Sequence, residues 1–167
     1  MASILGVETL QHTNGTTAAT IQSDGTFYPT GGIVQVKSMK ITSTVSTTST
    51  SYVDTGLTLS ITPSKTSSKI LVMYDAGVSI SASAGGQINR ILRDSTEIMY
   101  RGVVWSTAGS MNGSTSVAYL DSPSTTSSVT YKVQFLTQSA SSTVTFNASF
   151  TGYTAPTANL ALMEIAG

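Results

Sequence analysis

The sequence predicts an all-β protein, an antiparallel β-sandwich preceded by an extended N-terminal arm. Short runs of apolar residues alternate with Ser and Thr, and Ser, Thr, Gly and Pro separate the runs. No window shows a helical period, and the many β-branched Thr and Val residues favour strands. Many short strands with turns at regular spacing need two packed sheets or a closed barrel, so we expect a sandwich of the jelly-roll kind.

The alternation places the strands one after another along the chain. In the clearest run, Val129, Tyr131, Val133 and Phe135 alternate with polar residues, so one face of the strand enters a core. The predicted strands lie near residues 33–45, 51–61, 69–81, 87–93, 98–105, 116–120, 128–137, 143–150 and 159–165.

The last predicted strand, residues 159–165, is apolar on both faces. This pattern is typical of a strand buried centrally or at a subunit interface. Glu164 interrupts it, and a buried carboxylate needs a partner. We expect a Lys or Arg from a neighbouring strand to supply that partner.

Residues 1–32 differ from residues 33–167 and form the predicted arm; the rest forms one sandwich domain. The arm contains Asn14-Gly15 and Asp24-Gly25, pairs that predict type I′ turns, in which both central residues need positive φ. Ordering such a segment costs backbone entropy. We therefore expect the arm to lie on its own domain, on a neighbouring subunit or on a larger assembly.

The surface chemistry of the chain is that of hydroxyl groups. About a third of the 167 residues are Ser or Thr, 10% are charged, and Cys is absent. The lack of Cys excludes disulfides and thiolate metal sites. Eight Lys and Arg residues balance eight Asp and Glu residues, which removes the electrostatic basis for binding nucleic acid or an anionic membrane. A net charge of zero also promotes self-association.

Targeting signals are missing from the pattern. Residues 1–6 contain no basic region, and the longest strongly apolar run, residues 70–74, ends at Asp75. A membrane-spanning helix needs about 20 apolar residues. We expect no membrane insertion and no entry into a Sec pathway.

Candidate catalytic residues are sparse. The only His, His12, lies in the arm, whereas Ser-His-Asp chemistry needs a His held between a nucleophile and a carboxylate. The pattern contains no metal-binding motif, although loop carbonyls and one Asp could still form a Ca²⁺ site. A glycan hydrolase would need paired carboxylates, and the nearest pair, Asp94 and Glu97, is better explained by a hairpin that turns at residues 94–96. We expect no enzymatic activity and no cofactor.

The candidate ligand-binding residues lie around the same predicted hairpin: Trp105, Tyr100, Arg90, Arg93 and Arg101. Two interpretations stay open. The aromatic residues could pack in the core and the Arg residues could pair with Asp or Glu across strands. Alternatively, Trp105 could stack on a sugar ring while Arg residues bind an acidic sugar.

Several segments resemble small virion proteins and tail-fibre modules of bacteriophages, especially marine ones. In the arm these are residues 5–16, with the sequence LGVETLQHTNGT, and residues 21–25. In the body they are residues 50–57, 61–63, 68–72, 119–123, 131–135 and 162–165. All are structural segments and none is catalytic.

The resemblance implies a non-enzymatic virion protein exposed on the particle exterior. It also implies a homotrimer whose jelly-roll body is similar to those of the tumour-necrosis-factor and C1q type. Such proteins occur as fibre tips, fibre-like appendages and capsid decorations, so a head decoration, a fibre or a tail-fibre knob is expected. Residues 1–32 would contact other virion proteins. The alternative is a carbohydrate-binding module that recognises a host surface glycan.

Overall fold

The computed structural model describes residues 6–23, 25–81, 85–107, 109–149 and 157–167. These residues form β-strands and no helix. The strands are β1 (Thr9–Gln11), β2 (Thr17–Ile21), β3 (Phe27–Pro29), β4 (Ile33–Ile41), β5 (Val45–Thr47), β6 (Val53–Ile61), β7 (Lys69–Ser81), β8 (Gly85–Arg93), β9 (Thr96–Ser106), β10 (Met111–Asp121), β11 (Val129–Thr137), β12 (Thr143–Phe146) and β13 (Ala158–Ile165). Residues 1–5 and Asp24 of the predicted arm and Phe150 of a predicted strand lie outside the described residues.

Two antiparallel sheets form the sandwich, and the predicted fold class is confirmed. The first, here called the β7 sheet, has the order β4-β13-β7-β10, with β12 and β5 beside the second half of β7. The second, the β11 sheet, has the order β6-β11-β8-β9. The eight strands of these two orders can be numbered 1 to 8 as they follow one another along the chain. The β7 sheet then has the order 1-8-3-6 and the β11 sheet the order 2-7-4-5. This is the strand order of a jelly roll.

The core lies between the two sheets, where the alternation in the sequence places it. Along β11, Val129, Tyr131, Val133 and Phe135 are all buried, as predicted. The Phe135 ring reaches across to Phe146 of the β7 sheet, with 5.7 Å between the ring centroids. Contacts of this kind hold the two sheets together.

The predicted strand at residues 33–45 is wrong, because it is two strands. β7 is 13 residues long, and along one edge it pairs first with β13 and then with β12. β4 pairs with β13, whereas β5 pairs with β12. The chain leaves the sheet at Asn147, which has a φ of 56°. Its Nδ2 donates to the Ser43 carbonyl at 3.0 Å, and the Thr44 hydroxyl donates to the Asn147 carbonyl at 2.9 Å. These bonds hold the link between β4 and β5 against the residue that follows β12.

Glu164 is fully buried, but its predicted partner was wrong. Gln35 Nε2 donates to Oε2 at 2.6 Å, and the Ser64 amide donates to Oε1 at 2.7 Å. Both donors are neutral. Gln35 supplies the bond because it lies directly opposite Glu164 on β4, so β13 is attached both to β4 and to the loop after β6.

The described part of the arm forms a three-stranded antiparallel meander, β1-β2-β3. The type I′ prediction at Asn14-Gly15 is wrong, because only Gly15 has a positive φ, 83°. Gly15 N donates to the His12 carbonyl and His12 N to the Thr16 carbonyl, which is the pattern of a type I turn followed by a left-handed Gly.

Tyr28 attaches the meander to the sandwich of the same chain. The side chain is buried, its hydroxyl lies 2.8 Å from Ser68 Oγ, and Lys65 Nζ lies 3.9 Å from the ring centroid. The arm therefore packs on the loop that precedes β7. On the opposite face of the meander, Leu10, Ile21 and Phe27 are exposed.

Candidate functional surfaces

The structure does not bring the five candidate ligand-binding residues together. Trp105, Tyr100 and Arg90 share the outer face of the β11 sheet, since Trp105 lies opposite Gly86 and Tyr100 lies opposite Arg90. Arg93 and Arg101 fall on the other face.

Arg90 is held by side chains of its own sheet. Its Nε and Nη2 donate to Gln134 Oε1 at 2.9 and 2.7 Å, and its Nη1 donates to Glu97 Oε2 at 3.1 Å. The guanidinium also lies 3.8 Å from the centroid of the Tyr52 ring. The predicted cross-strand pairing of Arg with an acidic residue is thus confirmed for Arg90 and Glu97. These contacts hold Arg90 against its own sheet and leave a quarter of its side chain exposed.

The polar contacts of Arg90 continue through Gln134 to β6, the edge strand of this sheet. Gln134 Nε2 donates to Asp54 Oδ1 at 2.6 Å, and Lys132 Nζ lies 3.3 Å from Asp54 Oδ2. The hydrogen bond from Gln134, together with Lys132, lowers the pKa of Asp54 against the opposing effect of burial. This exposed network sets side-chain positions more than it adds stability.

Arg93 closes one end of the sandwich. Its Nη1 lies 2.8 Å from both carboxylate oxygens of Asp121, and the Tyr131 hydroxyl donates to Asp121 Oδ2 at 2.7 Å. Burial, followed by the bond to Asp121, raises the pKa of Tyr131. We assign this triad a structural role. Arg101 makes one long bond, 3.4 Å, to the Ser116 carbonyl.

Trp105 and Tyr100 are not core residues. The exposed fraction is 57% for Trp105 and 67% for Tyr100, so the core-packing interpretation is wrong for this pair. Their partners on β8, Arg90 and Gly86, lie four residues apart, about 13 Å at about 3.3 Å per residue. Trp105 lines a shallow pocket, of about 280 Å³, with Gln87, Gly102, Val103, Val104 and Gln138.

The residues considered for catalysis have local structural contacts. His12 Nδ1 accepts from the Asn14 amide within the arm turn. Asp94 Oδ1 accepts from the Thr130 amide, and Glu97 pairs with Arg90. Thr96, predicted in the turn, belongs to β9, so the link is only residues 94 and 95.

Sequence reasoning did not identify one large surface, the outer face of the β7 sheet. In register across four strands lie Leu120, Leu71, Met163 and Val36. The next row holds Ala118, Met73, Ala161 and Ser38. We call these two rows the apolar face. The only signal for it was the apolar pattern on both sides of β13.

Within the described residues, no group of three or more His, Cys, Asp or Glu side chains is placed to hold a metal ion. The same part of the chain contains no helix long and apolar enough to cross a membrane. No family model matches the chain, and a search of curated proteins found no significant match. The function therefore has to be argued from the surfaces.

Proposed function

We propose that the protein is a non-enzymatic structural component of a bacteriophage particle. It is a homotrimer displayed on the exterior of the capsid or tail and attached through residues 1–32. The phage assignment rests on the sequence segments described above. The self-association rests on a single structural observation, the apolar face.

The apolar face is too apolar for a surface that stays in water. Val36 is 57% exposed, Leu120 47% and Met73 39%, and they belong to rows that cross all four strands. Monomeric soluble proteins rarely expose large contiguous apolar patches. Where such a patch is present, it commonly marks an interaction site.

A second copy of the chain is the occupant that the charges favour. The two rows contain no charged side chain, and the neighbouring row contains Lys40 and Asp75, which carry opposite signs. The chain as a whole has zero net charge, so copies do not repel one another. Closed cyclic symmetry would bring three copies together and bury the face in each.

Met73→Asp tests the self-association. The new charge would be buried in the contact between copies, so we expect the wild-type mass of three chains to fall to that of one, with at least a hundredfold weaker association. Light scattering with mass determination measures this. Ser114→Asp, on the polar part of the same face, is the matched control and should remain trimeric. A wild-type monomer, or a trimer unaffected by Met73→Asp, would refute the assignment.

Phe27→Asp tests attachment through the arm. Phe27 lies opposite Ile21, and both are exposed together with Leu10 on one face of the meander. We expect the variant to keep its trimeric mass but to lose cosedimentation with phage particles that lack the protein. Ala18→Asp, on the other face of β2, should still cosediment. Equal binding of Phe27→Asp and wild type would contradict a role for this face.

A further inference from the structure

We propose that the pocket beside Trp105 binds one ring of a neutral polysaccharide. The proposal is independent of the trimer, because Trp105 lies on the β11 sheet and the apolar face lies on the β7 sheet. It assigns this site to a sugar without charge, unlike the acidic sugar that the Arg residues suggested.

The Trp105 ring is held in position by a glycine. A Cβ atom added to Gly86 would lie 2.7 Å from Trp105 Cε3 and 2.5 Å from Gln138 Oε1, closer than real contacts allow. The indole therefore packs directly on the Gly86 backbone beside the Gln138 amide, while more than half of its surface remains in solvent. A fixed aromatic ring with an open side loses little entropy when a ligand stacks on it.

The position of Trp105 depends on an irregularity in β9. In a regular strand, residues 100 and 105 would point to opposite faces. The register shifts between Gln87 and Ile88, which pair with Val104 and Gly102, so Val103 is an extra residue. Bulges of this kind re-aim side chains and are common near functional sites. Here the bulge places Trp105 on the same face as Tyr100.

The lining of the pocket suits an uncharged ring with hydroxyl groups. Its exposed polar side chain is the amide of Gln138, and no charged residue lines it. The Gln87 amide is buried and faces the core, where its Nε2 donates to Asn89 Oδ1 at 2.9 Å, so it does not contact the ligand. Amides can both donate to and accept from hydroxyls. A carboxylate would find no cation here and would lose its hydration without compensation.

The size of the pocket limits what it holds. At about 280 Å³ it lies just below the usual range for small-molecule sites, about 300–1,000 Å³, and suits a single sugar ring. Tyr100 is too far along β9 to contact the same ring. It is placed to contact a more distant unit of the same chain, so a polymer should bind more tightly than a short oligosaccharide.

The single Trp of the chain makes the test direct. Short oligosaccharides of glucose, galactose, mannose and N-acetylglucosamine are titrated into the full-length protein while Trp105 fluorescence is followed. We expect a saturable blue shift with at least one of them, and at least tenfold weaker binding of sialylated oligosaccharides. No saturable change with any neutral sugar, or preference for the acidic one, would overturn the proposal.

Variants of the protein then locate the site. Their retardation is measured by electrophoresis in gels that contain a polysaccharide of the sugar that binds. Trp105→Ala should weaken binding at least tenfold, and Gly86→Ala should do the same by displacing the indole. Phe27→Ala, which removes an exposed aromatic ring outside the pocket, is the matched control and should be retarded like the wild type. Far-ultraviolet circular dichroism checks that each variant is folded. Undiminished binding by folded Trp105→Ala would refute the site.

Discussion

Phe135→Ala is expected to lower the free energy of unfolding by about 3–5 kcal/mol, the usual cost of truncating a fully buried Phe. Phe135 is fully buried on β11, and its ring contacts Phe146 of the facing sheet. Phe146 in turn contacts Tyr74, with 6.4 Å between ring centroids. The substitution thus leaves a cavity at a point where aromatic rings of both sheets meet, and neither sheet can close it alone.

Denaturant unfolding followed by circular dichroism measures this loss. Leu136→Ala is the matched control, because Leu136 is the next residue on β11 and lies half-buried on the outer face. It should cost only about 1 kcal/mol. Similar losses for the two variants would mean that the space between the sheets is not the main core.

Asp121→Ala should destabilise the protein by about 3 kcal/mol, near the lower end for breaking a buried ion pair. The carboxylate is almost fully buried and accepts bonds from Arg93 and Tyr131. Its removal leaves the buried Tyr131 hydroxyl without its acceptor. Arg93 keeps a quarter of its side chain in solvent, so its share of the cost is smaller.

Two further variants separate the contributions to this triad. Tyr131→Phe removes only the hydroxyl and should cost about 1 kcal/mol. Arg93→Leu combined with Asp121→Leu removes both charges, so it should be less destabilising than Asp121→Ala. Thermal or denaturant unfolding distinguishes these outcomes. A double variant less stable than the single one would show that the charges themselves contribute net stability.

The strands could be predicted where one face is apolar and the other hydroxylated. β6, β7 and β11 begin and end within two residues of the predicted positions for this reason. β10 begins at Met111 rather than at residue 116, because Asn112, Gly113 and Ser114 show no alternation. Those residues are strand only because they pair with the second half of β7.

The candidate site could be predicted only in part. Exposed aromatic residues can be recognised as candidates, but their faces depend on the bulge at Val103, which no local pattern indicates. The sequence likewise identifies Arg93 as a charged candidate but does not indicate its partner. That partner, Asp121, comes from a strand of the other sheet. The apolar face was missed because each strand contributes only one or two of its residues.

The position of β13 has a consequence for biosynthesis. This strand lies between β4 and β7, yet a ribosome makes it after both. Until residues 158–165 have emerged, β4 lacks its only ladder partner within the described sandwich, and the first half of β7 lacks one neighbour. Pairings between such distant segments form slowly. We therefore expect the domain to fold only once β13 has left the ribosome, and polypeptides released before β13 to be substrates for chaperones and proteases.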